Sequence, residues 1–399
     1  MVQIETFSVE SWMDEHETKC THNIAETCCA SISIDQLREL SEDKDRQIFQ
    51  TSKALTYGAI RGSEDLRSNL ARLYSARSTP LPLENILSTP GAIQANFLCA
   101  YALVGRGDHV ICHYPTYQSL YEVPKQLGAS VSLWNAKPEN AWTPSIPDLK
   151  SLIQPNTKLI IINNPNNPTG AVLKKSLLQE IIAVASEHEI SILSDEVYRP
   201  IFHSISPVDP EFPPSLLSMG YKNTIVTGSM SKAYALAGIR VGWIASRSSS
   251  IIEKIVEARH YTTISVSQLD EQVAAYALHQ NTIHSLLSRN IQLAKANLAV
   301  LEKFVDKNDE TCEWVKPLAG TTAFVKFHIE GKPVDSVDFC KRLIEKTGVL
   351  FVPGSECFGK EFKGYVRIGF VNNTEVVEEG MKKVTQFLRK EFDGVKLAE

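Results

Sequence analysis

Between residues 85 and 245, short runs that are apolar on both faces alternate with segments whose apolar residues recur at helical spacing. Residues 108–113, 158–162, 190–194, 223–227 and 241–245 read as strands, and residues 177–186 read as a helix. A strand with one wet face alternates apolar and polar residues; these runs do not, so both of their faces must be covered. Helices between such strands imply an α/β fold, a largely parallel sheet with helices on both sides. On such a sheet ligands sit beyond the carboxyl ends of the strands.

The rest of the chain changes character. Residues 250–310 look mostly helical, with one long stretch over 272–304. After it come a strand at 322–328, a helix at 336–345, strands at 349–352 and 365–370, and a closing helix at 374–392, which describe a smaller α+β unit. The first forty-odd residues have weak periodicity and are expected to wrap onto it. We therefore expect an N-terminal segment 1–48, a large domain 49–285 and a small domain 286–399. A chain of 399 residues is long enough for two domains.

Bulk properties narrow the partners. A net charge of −5 is too mild to suggest nucleic acid or an anionic membrane, and no apolar run is long enough to span a bilayer. The first eight residues lack a basic start and an apolar segment, and the last five match no peroxisomal or lipidation signal. The eight cysteines show no C-x-x-C spacing, and Cys99 and Cys112 lie in apolar runs as core residues. His16 and His22 are six residues apart, unlike the one-turn spacing of a zinc helix, so no metal is expected. The expectation is a cytoplasmic chain with reduced thiols.

Polar motifs gather where the strands end. Ser229-Met-Ser-Lys232 follows a strand, and Arg240 lies eight residues on. Tyr234, Leu236 and Ile239 make apolar surroundings, which would leave Lys232 a neutral, nucleophilic amine able to form an imine with an aldehyde. Arg240 and Ser229 could hold a phosphate. Gly91, Ala92 and Ile93 open a helical run, where free amides also suit a phosphate. Asn163-Asn-Pro-Asn-Asn-Pro-Thr-Gly170 is more elaborate than a turn requires, and its Asn167 offers a donor to a phenolate oxygen. Asp195 could pair with a protonated ring nitrogen, and Tyr198 could reach the ring oxygen. Tyr117 could stack on a ring face. Arg367, flanked by apolar residues, needs an anion such as an α-carboxylate. Together these suggest a pocket for pyridoxal 5'-phosphate.

In this order the motifs resemble the class I/II aminotransferases, which are fold-type I pyridoxal-phosphate enzymes. The resemblance runs from about Tyr57 to Arg367. It implies a mostly parallel seven-stranded sheet between helices and an enzyme that works through a Lys232 Schiff base and a quinonoid carbanion. Lys232 would be the imine lysine and proton shuttle, with Asp195 on the pyridine nitrogen and Asn167 and Tyr198 on the ring oxygen. Tyr117 would stack on the ring. Gly91, Ala92, Ile93, Ser229 and Arg240 would cradle the phosphate, and Arg367 with Asn167 would hold the substrate carboxylate. Tyr57 matches a tyrosine that reaches the phosphate of a neighbouring subunit, which implies a homodimer with shared active sites. An amino acid and a 2-oxo acid would be the small-molecule partners.

Three points stay open at this level. Where the family often has a glycine-containing substrate loop, this chain has Asn23-Ile-Ala-Glu-Thr-Cys-Cys-Ala-Ser-Ile, including Cys28 and Cys29. No side-chain-binding arginine can be assigned beyond Arg259 or Arg61. The same scaffold also supports lyases and cyclases, such as aminocyclopropane-carboxylate synthase and capreomycidine synthase. An unrelated reading notes Ser229-Met-Ser-Lys232, Ser288-Arg-Asn290 and Lys346-Thr-Gly348 as the motif order of serine acyl-enzymes. It requires Lys346-Thr-Gly348 to lie in a strand, whereas the sequence places it at a helix end.

Overall fold

A computed structural model describes residues 4–75 and 80–399; the reading of the first three residues lies outside it. The apolar runs form a seven-stranded sheet: β1 (Ile86–Thr89), β2 (His109–Tyr114), β3 (Ser130–Asn135), β4 (Thr157–Asn163), β5 (Ser191–Asp195), β6 (Thr224–Ser229) and β7 (Gly242–Ser246). Its order is β1-β7-β6-β5-β4-β2-β3. Four neighbouring pairs are parallel, and only β7 runs against both of its neighbours.

The strands bury both faces because the chain covers both. Leu159 and Ile161 of β4 pack into a core with helices Gly91–Leu103 and Ser249–His260, while Ile160 and Ile162 pack into a second core with helix Lys175–Glu187. Each such side chain contributes about 1.5–3 kcal/mol on burial. Cys99 and Cys112 are buried in the first of these cores, and all eight cysteines are free.

Strands β1 and β3 were not anticipated. β1 is fully buried but only four residues long, too short to show a pattern, and β3 lies at the sheet edge with Ser130, Val131, Ser132 and Leu133 open or partly open to solvent. The long helical stretch is broken in two, Gln268–Ala277 and Gln280–Lys307, and the second runs unbroken across 285–286.

A second, smaller sheet is built on β8 (Thr322–Ile329), β9 (Val352–Pro353) and β10 (Tyr365–Gly369), all antiparallel and backed by helices Ser336–Thr347 and Thr374–Lys390. The N-terminal segment joins the two sheets. His22–Asn23 pairs with Val349–Leu350, Gly369 N–H donates to Ile24 C=O, and Cys29 N–H donates to Lys232 C=O at 3.3 Å. Among the described residues no helix is long and apolar enough to cross a membrane.

Candidate active site

The carboxyl ends of β1, β2, β4, β5 and β6 face one cavity of about 370 Å³, and the antiparallel β7 begins at that same end. This reversal is why Arg240, two residues before β7, lies beside Ser229 at the end of β6. The lining includes Ala92, Ile93, Tyr117, Asn167, Asp195, Tyr198, Ser229, Lys232, Arg240 and Arg367, so residues from six separate stretches of chain converge.

One end is a cradle for an anion. Helix Gly91–Leu103 has no side-chain cap, so its first amides are free to take negative charge. Gly91 does not line the cavity itself but adopts φ +78°, and a Cβ there would lie 2.8 Å from Arg240 Nη2. A Cβ on Gly242 would lie 2.4 Å from Gly91 C, so the two backbones approach only because Gly242 lacks a side chain. Arg240 itself has φ +52°, a left-handed conformation costing roughly 1 kcal/mol. Its Nη1 donates to Ala237 C=O at 3.0 Å and to Ser231 Oγ at 3.4 Å.

Asp195 ends β5, buried, and accepts from Asn96 Nδ2 at 2.8 Å and from Val197 N–H at 3.1 Å. Thr227 Oγ1 donates to Asn96 Oδ1 at 2.7 Å and so fixes the amide's orientation. Burial pushes the Asp195 carboxyl up to about 6, while the Val197 and Asn96 bonds oppose the rise. Tyr198 is buried beside it, and burial raises its phenol against the pull of Lys232 and Arg367.

Lys232 departs from the expected apolar setting. Tyr234 and Leu236 join the core, while the amine reaches across to the N-terminal segment. Its Nζ lies 2.6 Å from Thr27 Oγ1, 3.4 Å from Cys28 Sγ and 3.8 Å from Glu26 Oε1. Burial alone would lower the amine's pKa, but negative charge at Cys28, Tyr198 and Glu26 outweighs it, and the net shift is upward. Burial also pushes the Cys28 thiol up to about 11, so Glu26 supplies the charge present at neutral pH. Burial opposes ionisation of Glu26, yet Lys232 and the Thr27 and Cys28 amides bring its carboxyl down to about 2. The Lys232 amine is thus held by three groups of the N-terminal segment.

Arg367 is 4 % exposed and stands on β10. Its Nη1 donates to Asn167 Oδ1 at 3.4 Å and its Nη2 to Ala25 C=O at 3.0 Å, while its Nε has no partner among the described residues. A buried guanidinium that lines the cavity is suited to a carboxylate. Asn167 is positioned by its own N–H donating to Asn163 Oδ1 at 2.7 Å. Tyr117 lines the cavity, with its hydroxyl donating to Glu10 Oε1 at 2.6 Å and its ring 4.9 Å from that of Phe7.

Other sequence candidates lie elsewhere. Tyr57 is 81 % exposed and does not line the cavity of its own chain. Arg61 pairs with Glu253 at 2.7 Å, and Arg259 is fully buried off the cavity, so neither reads a substrate side chain within this chain. Gly348 caps helix Ser336–Thr347 with φ +71°, and Asn290 is buried within helix Gln280–Lys307, donating to Ala233 C=O. The acyl-enzyme motif order therefore has no common site. Asn96, Glu26 and Thr27 were not anticipated. Asn96 follows Ala92 by one helical turn and shares its face, a usable signal; the irregular loop 23–29 offers none.

Comparison with known proteins agrees with this geometry. The model of aminotransferase class I and II matches residues 32–384. Capreomycidine synthase from Streptomyces vinaceus is 28% identical over 386 residues, covering 95% of this chain and 93% of that protein. An aspartate aminotransferase from Pyrococcus horikoshii is 30% identical over 332 residues, covering 83% and 82%. The crystal structure of a PLP-dependent aminotransferase from Streptococcus suis 89-1591 superposes with a TM-score of 0.88 at 38% identity, covering 97% of this chain and 98% of that one. A converging lysine, aspartate and arginine pair on a doubly covered sheet, and a family match over most of the length, have one common explanation: this chain is an enzyme of the class I and II aminotransferases, and its cofactor is pyridoxal 5'-phosphate.

Proposed function

We propose that the enzyme transaminates the α-amino group of an amino acid. The observation that carries this reading is the buried Arg367 guanidinium lining the same cavity as the Lys232 amine. It supplies a seat for the substrate's carboxylate alongside a base for the Cα proton.

The cradle of Ala92, Ile93, Ser229 and Arg240, kept open by Gly91 and Gly242, fits the cofactor's phosphate. Asp195 would hold the protonated ring nitrogen, Asn167 and Tyr198 the ring oxygen, and Tyr117 one ring face. The cofactor, once bound, supplies an electron sink for the pair left when the Cα–H bond breaks. Arg367 and Asn167 orient the amino acid by its carboxylate. Lys232 Nζ, freed of its proton, would take up the Cα proton and deliver it to a carbon other than Cα, with Thr27 Oγ1 steadying the amine. Glu26 opposes that deprotonation, so loading should quicken with rising pH.

A second reading, a lyase or cyclase on an amino acid, is supported by the match to capreomycidine synthase over 95% of the chain. Product analysis separates the two. Transamination yields a 2-oxo acid and the pyridoxamine form; a lyase or cyclase turns over without an amino acceptor. Either reading expects a coloured protein whose colour borohydride removes while fixing the cofactor on Lys232, and a Lys232→Ala variant without turnover. An unmodified Lys232 in an active, reduced enzyme would overturn both.

Two chains are proposed to share their sites, which the exposure of Tyr57 supports. The eight free thiols suit a reducing compartment such as the cytoplasm. The division into 1–48, 49–285 and 286–399 is likewise our reading, with the helix across 285–286 coupling the last two.

A further inference from the structure

The cavity wall facing away from the phosphate cradle is built by helix Ser8–His16 and residues 25–28. Its ionisable side chains are all acidic or thiol: Glu10, Glu17, Glu26 and Cys28. Across the whole lining there are three cations, Lys232, Arg240 and Arg367, against four carboxylates, Asp195, Glu10, Glu17 and Glu26. In the proposed function Arg240 meets the phosphate, Arg367 the α-carboxylate and Asp195 the ring nitrogen. Lys232 is the only counter-charge left to this wall, and it must give up its proton to act as a base. Glu10, Glu17 and Glu26 then face the cavity with no cation.

The wall is also ordered. Glu26 Oε1 accepts from Thr27 N–H at 2.6 Å and Cys28 N–H at 3.1 Å. The loop is pinned by Thr321 Oγ1 donating to Thr27 C=O at 2.8 Å and by Arg367 Nη2 on Ala25 C=O. Glu10 is held by the Tyr117 hydroxyl. Acidic residues alone would mark nothing. Here Arg367, nine-tenths buried and with its Nε unpartnered, lines the same cavity with its guanidinium and independently marks the carboxylate end of a ligand.

We infer that the substrate is an amino acid whose side chain ends in a cation, an amine or guanidine, received by Glu26 together with Glu10 and Glu17. This deepens the proposed function and rests on it. The same wall repels a side-chain carboxylate, which sets the chain apart from relatives that bear the name aspartate aminotransferase.

The test uses the holoenzyme and the rate of its visible spectral change with L-ornithine, L-lysine, L-norleucine and L-glutamate. The basic amino acids should react at least about tenfold faster, per unit concentration, than norleucine, and glutamate slowest of all. Glu26→Gln should shrink the lysine-to-norleucine ratio by roughly tenfold, mostly through the concentration dependence, and Glu10→Gln by less. The inference is overturned if norleucine or glutamate equals the basic substrates, a result readable on the wild type alone, or if neither variant moves the ratio. If no amino acid alters the spectrum of protein that carries the cofactor on Lys232, the proposed function fails, and this inference with it. Reaction with norleucine or glutamate but not with basic amino acids sinks only this inference.

Discussion

At the scale of single residues, the site works by opposing burial with one or two well-placed bonds. Asp195 shows it most clearly. Burial favours its protonated form, and Asn96 with the Val197 amide restores part of the carboxylate's stability. Its folded value of about 6 lies above the ordinary aspartate value of 3.8, so the carboxylate is present above about pH 6 and lost below it. Asn96→Ala removes a bond that favours the charged form and should raise the carboxyl's pKa in cofactor-stripped enzyme by about one unit, read by infrared titration of the carboxylate. An unchanged titration would show that Asn96 does not stabilise the Asp195 carboxylate. Lys232, Arg240, Asp195, Asn167 and Arg367 were all legible as chemistry, because each breaks an apolar pattern at a strand end or within a strand. Glu26 and Thr27 were not, since a polar residue in an irregular loop carries no mark of what it touches, and Asn96 left only its one-turn spacing from Ala92.

At the scale of elements, the decisive fact is a close crossing of backbones. The start of helix Gly91–Leu103 and the start of β7 meet where Gly91 and Gly242 have no side chains. Gly242→Ala puts a methyl 2.4 Å from Gly91 C and 2.6 Å from Ala92 N, backbone atoms that cannot rotate aside. We expect a loss of about 1–3 kcal/mol in stability and at least about tenfold in cofactor affinity, read by thermal unfolding and by titration of stripped enzyme. Unchanged affinity would remove the phosphate from that corner. The strands that sequence patterning recovered, β2, β4, β5, β6 and β7, are the sheet's members that have at least five residues and are also buried along nearly all of their length. It missed β1 for its length and β3 for its wet edge.

At the scale of the whole molecule, the N-terminal segment matters more than its weak periodicity suggests. Its residues 23–29 lie between the two sheets, bond to Lys232 and Gly369, and close the cavity. Leu55, Tyr57, Ile60, Tyr261 and Ile264 leave apolar surface exposed. If a second copy covers it and Tyr57 reaches that copy's phosphate, sedimentation should give twice the chain mass, and Tyr57→Phe should weaken cofactor binding by roughly tenfold. A monomer with full cofactor affinity would end that part of the proposal.

The amino-acid sequence by itself determined the sheet, its two covers and the residues able to hold a phosphorylated aldehyde. Those depend on local periodicity and on polar residues placed against it. The tertiary structure alone decided what surrounds the Lys232 amine and the charge of the wall opposite. Glu26 and Lys232 are brought to 3.8 Å from far-apart stretches of chain, and an electrostatic field is set by distance in space, which spacing along the chain does not encode.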